Sequence, residues 1–158
     1  MRREWIRQLL RAANSQGSGR DRLARLLDEL SDQQLDQLER GMWRKLLLGG
    51  LARGLPTRFS ARRAGDLQAR IEARFPHPDG LDPDRFEIQI ADGRCLVRRG
   101  AAADPDMTCT ITIADLLRLS RGSTNLMILW VRGDLKLDGD PYLMWKLPDL
   151  FAGPDAPR

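Results

Sequence analysis

The chain has 158 residues, 42% of them hydrophobic and 30% charged, with a net charge of +4. That length suits one compact domain with a modest extension, and that balance can bury a core without disulfide staples. No apolar run approaches the roughly 20 residues of a bilayer-crossing helix, and the basic start Met1-Arg2-Arg3-Glu4-Trp5 lacks the apolar core of a secretory signal, so the expected location is cytoplasmic.

In chain order, residues 2–13 read as a helix with Trp5, Ile6, Leu9 and Leu10 on one stripe. Asn14 to Gly19 is a flexible break, and Arg22 to Leu30 is a second helix. Ser31-Asp32-Gln33-Gln34 fits a capping box, opening a helix that carries Leu35, Leu38, Met42 and Leu46 on one face. Gly49-Gly50 weakens that helix and Gly54-Leu55-Pro56 ends it. A further helix is expected from Ala61 to Arg74, on the stripe Ala64, Leu67, Ile71 and Phe75, with Pro76 as its stop and a loop to Pro83.

The sheet is expected to begin at Phe86-Glu87-Ile88-Gln89-Ile90. Asp92-Gly93 is a strong hairpin signal, and as the turn pair it sets Ile90 opposite Cys95, Ile88 opposite Val97 and Glu87 opposite Arg98. A strand over Met107–Ile113 alternates apolar residues with threonines, and Leu135 and Leu137 mark a short last strand. Helices fall between: Ala114 to Arg121, Thr124 to Arg132 stopping at Gly133, and one opened by Asp140-Pro141 that Pro148 should break or kink. Gly153 to Arg158 is a frayed tail.

Charge is uneven. Residues 1–75 hold 16 Lys/Arg against 9 Asp/Glu, a net of +7, and the rest hold 10 against 13, a net of −3. Solvated helix faces explain the basic half; aromatics for stacking on bases are sparse there, so nucleic acid is not the expected partner. Cys95 and Cys109 read as reduced thiols, although neighbouring strands would leave a bridge open. The lone histidine, His77, gives no zinc cluster. Asp134, Asp138 and Asp140 lack the glycine turn and closing glutamate of a calcium loop, and caps and turns explain them more simply. Ser120 and Ser123 have no evident base. No catalytic residue, metal site or cofactor is expected.

The order of these elements resembles the sterol carrier protein type 2 domain, as a stand-alone bacterial member. The residues carrying the resemblance are Asp92-Gly93, Asp104-Pro105-Asp106, Ile113-Ala114-Asp115-Leu116 with Gly122, Gly133-Asp134-Leu135-Lys136-Leu137-Asp138-Gly139-Asp140, and the helix ending Lys146-Leu147-Pro148-Asp149-Leu150-Phe151. The resemblance runs from about Leu55 to Phe151. It implies an α+β fold: a mixed, mainly antiparallel sheet of about five strands, with helices on one face enclosing an apolar cavity. It also implies a non-catalytic carrier of a fatty acid, acyl-CoA, sterol or isoprenoid. Residues 1–54 would then be a helical extension, 55–152 the lipid-binding domain and 153–158 the tail.

The expected cavity lining is Phe86, Ile88, Ile111, Ile113, Leu116, Leu119, Met127, Ile128, Trp130, Leu143, Met144, Leu147 and Phe151, although the ordinary use of such side chains is the core. Met127, Met144 and Trp130 lean towards a pocket, being adaptable or amphipathic. Arg118, Arg121 and Arg132 are the head-group candidates, against the plainer reading of helix-end complements. Partners are a lipid or fatty-acyl ligand, a second copy or another protein through the N-terminal helices, and transient contact with a membrane surface. The alternative is a scaffold or dimerisation module with no open pocket, serving as an accessory factor in lipid or quinone biosynthesis.

Overall fold

The computed structural model describes residues 29–120 and 123–151, and the chain divides into two units, residues 1–37 and 38–158. In the first unit the described helix is α1 (Asp32–Gln37). It opens on the expected capping box: the Ser31 amide donates to Gln34 Oε1 at 2.9 Å, and the Gln34 amide donates to Ser31 Oγ at 3.3 Å. Glu29 and Leu30, expected to close a helix, are non-helical because they lead into that cap. The helix expected over residues 2–13, most of the one over 22–30, the break between them and the 153–158 tail lie outside the described residues.

The second unit contains α2 (Gly41–Arg58), which departs from expectation in three ways. Helix stops after Gln37 and restarts at Gly41, whose φ of +62° is left-handed and suits a residue without Cβ. The restart turns Arg44 and Leu48 inward and leaves Met42 and Leu46 exposed. Helix also runs through Gly49-Gly50 and past Pro56, whose missing amide costs only one bond in the last turn. Helix therefore continues across residues 54 and 55.

A larger correction follows. The helix expected over Ala61–Arg74 is one turn, α3 (Ala61–Ala64), capped by Ser60 Oγ accepting from the Arg63 amide at 3.2 Å and closed by Gly65 at φ +57°. The chain then becomes a strand, β1 (Ala69–Phe75). Ile71 and Phe75 are four apart, a spacing that fits a helical stripe and a strand face alike. Ala69 and Ala73 complete the strand face, with Arg70, Glu72 and Arg74 alternating on the other side.

The other strands are β2 (Asp84–Ala91), β3 (Arg94–Arg99), β4 (Met107–Thr110) and β5 (Lys136–Gly139). Their order is β3-β2-β1-β4-β5; β1 runs parallel to β4, and every other pair is antiparallel. The hairpin has the expected register, with Ile90 facing Cys95, Ile88 facing Val97 and Glu87 facing Arg98. Asp92 and Gly93 have φ of 53° and 71°, the two left-handed residues of a type I′ turn. Cys95 on β3 and Cys109 on β4 have two strands between them, roughly 14 Å of sheet, so they are not the neighbours that a bridge requires.

The β4 strand stops at Thr110, short of the expected Ile113. Thr112 Oγ1 accepts from the Asp115 amide at 3.1 Å and starts α4 (Ile113–Ser120) instead. Next comes α5 (Leu126–Arg132), capped by Asn125 and closed at Gly133, φ +80°. The last helix is α6 (Pro141–Leu150), capped as expected by Asp140, whose Oδ1 accepts from the Tyr142 amide at 2.9 Å. Pro148 does not break it: it sits in the last turn, and helix carries on to Leu150. Helices cover one face of the sheet, where Ile71, Phe75, Phe86, Ile88, Ile90 and Met107 are buried.

Two substitutions probe this packing. Arg44→Ala should lower unfolding stability by about 3–5 kcal/mol in urea titration, because it strands Glu39, the buried acid that the guanidinium holds at 3.2 Å. Gly139→Ala should cost about 2 kcal/mol or more: a Cβ there would overlap the Asp106 carbonyl and the Met107 Cα, and the backbone is at φ +125°.

Candidate functional site

The covered face of the sheet forms an apolar floor, and one guanidinium braces it at the β1–β2 end. Arg44 is 2% exposed. Its Nε donates to Asp84 Oδ2 at 2.7 Å, its Nη1 to Glu39 Oε2 at 3.2 Å and to the Pro76 carbonyl at 3.1 Å, and its Nη2 to the Phe75 carbonyl at 2.5 Å. Glu39 Oε1 in turn accepts the Ala114 amide in the first turn of α4. One buried cation thus ties α2 to the end of β1, the start of β2 and the first helix over the floor. His77 Nε2 adds a contact to Asp84 Oδ2 at 3.2 Å.

Of the expected lining, Phe86, Ile88, Ile111, Ile113 and Leu143 are buried. Leu116, Leu119, Met144, Leu147 and Phe151 are half-buried, and Phe151 packs on Phe59 with ring centroids 5.8 Å apart. Met127, Ile128 and Trp130 are exposed, outward on α5, where Leu129 alone is buried. Arg118 Nη1 pairs with Asp115 Oδ1 at 3.0 Å, and Arg132 Nε pairs with Asp134 Oδ2 at 3.1 Å. Arg121 lies outside the described residues.

Sequence reasoning missed Val131, Tyr142 and Trp145, which are exposed on α5 and α6. The signal was present in α5: Leu126 to Val131 is apolar at every position, so the helix has no polar side to turn outward. Nothing in the sequence marked Arg44, which reads as one more cation on a solvated helix.

The outer face of the sheet is polar. Arg70 Nε pairs with Glu87 Oε1 at 3.2 Å, and the loop after β3 crosses here, its Ala102 amide donating to Glu72 Oε2 at 2.9 Å. An open depression of about 500 Å³ lies on this side of the hairpin, lined by Gln89, Ala91, Asp92, Arg94 and Leu96. Burial pushes the Cys95 thiol up to about 11 and Cys109 up to about 12, so both stay protonated at neutral pH and act as packing. Among the described residues no three His, Cys, Asp or Glu side chains are grouped to hold a metal ion, and no helix is long and apolar enough to cross a membrane. Of the three aspartates weighed for calcium, Asp134 pairs with Arg132 and Asp140 caps α6.

Residues 61–152 match the SCP-2 sterol transfer family. No curated protein matches the sequence. Among solved structures, the fold is similar to that of sterol carrier protein 2 like 2 from Aedes aegypti, at 18% identity and a TM-score of 0.53 over 68% of this chain and 98% of that one; a palmitated form of that mosquito protein matches at 17% and 0.52 over 70% and 96%. It is also similar to part of the inverting sec-alkylsulfatase Pisa1 from Pseudomonas sp., at 18% and 0.54 over 98% of this chain and 30% of that one. The ubiquinone synthesis protein UbiJ-SCP2 matches at 18% and 0.50 over 70% and 93%.

The site's electrostatics give a pH prediction. Burial pushes the Glu72 carboxyl up, but hydrogen bonds from Arg74 and the Ala102 amide, with the charges of Arg74 and Arg85, outweigh it and hold the group below its ordinary 4.5. A carboxylate depressed in the folded state stabilises fully above its unfolded value, and that contribution is lost as pH falls through the folded one. Glu72→Gln should therefore be less stable than wild type at pH 7, with the gap closing below pH 4.5 in urea titrations across pH.

Proposed function

We propose that this chain, which belongs to the SCP-2 sterol transfer family, is a non-catalytic carrier that holds one long-chain apolar ligand between the covered face of the sheet and its late helices. The family is one of lipid-binding domains, in general non-catalytic. The floor in this reading is Phe86 and Ile88 on the sheet, with Ile111 and Ile113 where the chain passes from β4 into α4. The roof is Leu116, Leu119, Leu143, Met144, Leu147 and Phe151, and Met127, Ile128 and Trp130 stand at the mouth. Arg118 or Arg132 would turn from its aspartate to meet a carboxylate or phosphate head, with Arg121 as a third candidate.

The observation that carries this reading is α5, apolar from Leu126 to Val131 yet seated by one buried side chain, Leu129, in a fold whose sheet has an apolar covered face. Unseating one leucine costs about 1.5–3 kcal/mol, whereas burying a sixteen-carbon chain at about 0.8 kcal/mol per methylene returns on the order of 11 kcal/mol. About two to four methylenes therefore offset the opening under α5, and each further methylene adds to the net gain, so the balance favours longer chains. The palmitated relative supports a fatty-acyl chain as the ligand class. The carrier would act in the cytoplasm.

One observation favours a second reading, an accessory or dimerisation module. The sulfatase resemblance spans 98% of this chain, beyond the family match at 61–152, and occupies 30% of a larger enzyme. In that reading the N-terminal helices join a second copy or a partner.

Native mass spectrometry and lipid extraction of the purified protein, with displacement of a fluorescent fatty acid, test the carrier reading. Co-purified long-chain lipid, and displacement that strengthens from eight to sixteen carbons, are the expected results. With no lipid and no displacement, but a dimer by light scattering that is lost on removing residues 1–37, the module reading takes its place.

A further inference from the structure

The β3 strand stands at one edge of the sheet, with β2 on its inner side. The Asp92-Gly93 turn makes Ala91 and Arg94 a hydrogen-bonded pair, and the alternation carries on to Gly100, whose amide donates to the Arg85 carbonyl at 2.9 Å. The amides and carbonyls of Cys95, Val97 and Arg99 therefore point away from β2, and among the described residues no backbone bond is made to them there.

The side chains alternate as well. Cys95 is buried on the covered face and α2 packs against the strand, while Arg94, Leu96 and Arg98 are exposed on the outer face. Among the described residues neither Arg94 nor Arg98 is in an ion pair: Glu87, which faces Arg98, pairs with Arg70 instead. The open depression by the hairpin runs along this face, walled by Arg94 and Leu96 on β3 and by Ala91 and Gln89, which face them on β2.

We infer that β3 is a docking edge for an extended acidic segment of a partner protein. That segment adds a strand antiparallel to β3, with one carboxylate opposite Arg94, an apolar side chain beside Leu96 and a second carboxylate opposite Arg98. Backbone chemistry selects a polypeptide, because the edge presents donors and acceptors in alternation and only another peptide chain matches both. Charge selects its sign. The strand holds three arginines and no acid, and Arg94 and Arg98 lie about 13 Å apart on one face. A second copy paired about Leu96 would set Arg94 against Arg98 twice, and like charges directly opposite destabilise a ladder. Edge cations of this kind keep copies from pairing with each other, and the same repulsion gives an acid-bearing strand its advantage. Segments of this chain suit the edge poorly. Residues 1–28 carry 7 Arg against 3 Asp/Glu, a net of +4, and residues 153–158 include Pro154 and Pro157, which have no amide to donate. The inference goes beyond lipid carriage and does not depend on it.

The test is fluorescence anisotropy of the full chain with a labelled peptide, Glu-Thr-Val-Thr-Glu, whose glutamates would face Arg98 and Arg94 and whose threonines would bond to Val97 and Cys95. Binding should appear below about 1 mM and weaken severalfold as salt rises from about 0.1 M to 1 M. On binding, the Cys95 and Val97 amides should gain protection in hydrogen exchange, whereas those of Leu96 and Arg98, already bonded to β2, should not change. N-methylation of both threonines keeps the charge and removes the two donors, and should weaken binding about tenfold or more. Arg94→Glu with Arg98→Glu should weaken it about tenfold and turn the preference to Lys-Thr-Val-Thr-Lys. The proposal is overturned if the acidic peptide does not bind, if the lysine peptide binds the wild type equally well, or if the methylated peptide binds as tightly as its parent. A dimer in light scattering whose Cys95 and Val97 amides are protected before peptide is added overturns it too, and makes the occupant a second copy.

Discussion

A buried guanidinium is a demanding thing to fold around, and the second unit is organised to meet its demands. Arg44 brings a charge into the interior, where each unpaired donor costs free energy that no nearby water can offset. Its partners are four residues at three places in the sequence: Glu39 before α2, the Phe75 and Pro76 carbonyls at the end of β1, and Asp84 at the start of β2. Through Glu39 the same network reaches the Ala114 amide in the first turn of α4. A hydrophobic plug could fill that volume, but it could not fix these segments in register with one another. The arginine does so because its donors point in fixed directions.

The rest of the molecule is braced unevenly around that point. The β1–β2 end is tied by charge-assisted hydrogen bonds, and the sheet centre by ladders on both sides of β1. Of the last two helices, α5 is seated by one buried leucine and α6 by two, and the end of α6 also accepts the Ser60 amide at its Leu150 carbonyl, at 2.9 Å, and Arg63 Nη1 at its Asp149 carbonyl, at 3.1 Å. Charge-assisted bonding at the β1–β2 end and the single buried leucine of α5 would suit the proposed carrier, which must keep a shape while letting a ligand in. Local opening is cheapest where few apolar side chains must leave their seats. The two faces of the sheet divide the chemistry similarly. The covered face is apolar, while the outer face carries acids and cations paired across strands and along them.

The sequence on its own determined a good deal, wherever the physics was local. The Ser31 capping box, the Asp92-Gly93 turn with its three facing pairs, the Asp140 cap and the Gly133 stop each depend on a few adjacent residues and a backbone preference, and each stands as read. The family was legible for the same reason, because the order of such local signals is a property of the chain.

Only the tertiary structure could decide the rest. Ile71 and Phe75 fit two periods at once, and what makes β1 a strand is having β2 and β4 on either side, which no window of sequence contains. The inward turn of Arg44 depended on acceptors 31 to 40 residues away. The placing of Met127, Ile128 and Trp130 outside rather than inside depended on which side of a helix apolar from Leu126 to Val131 would turn inward, a choice that composition leaves even. Nearest-neighbour chemistry is written along the chain, whereas partners distant in sequence are chosen only when the whole sheet has closed.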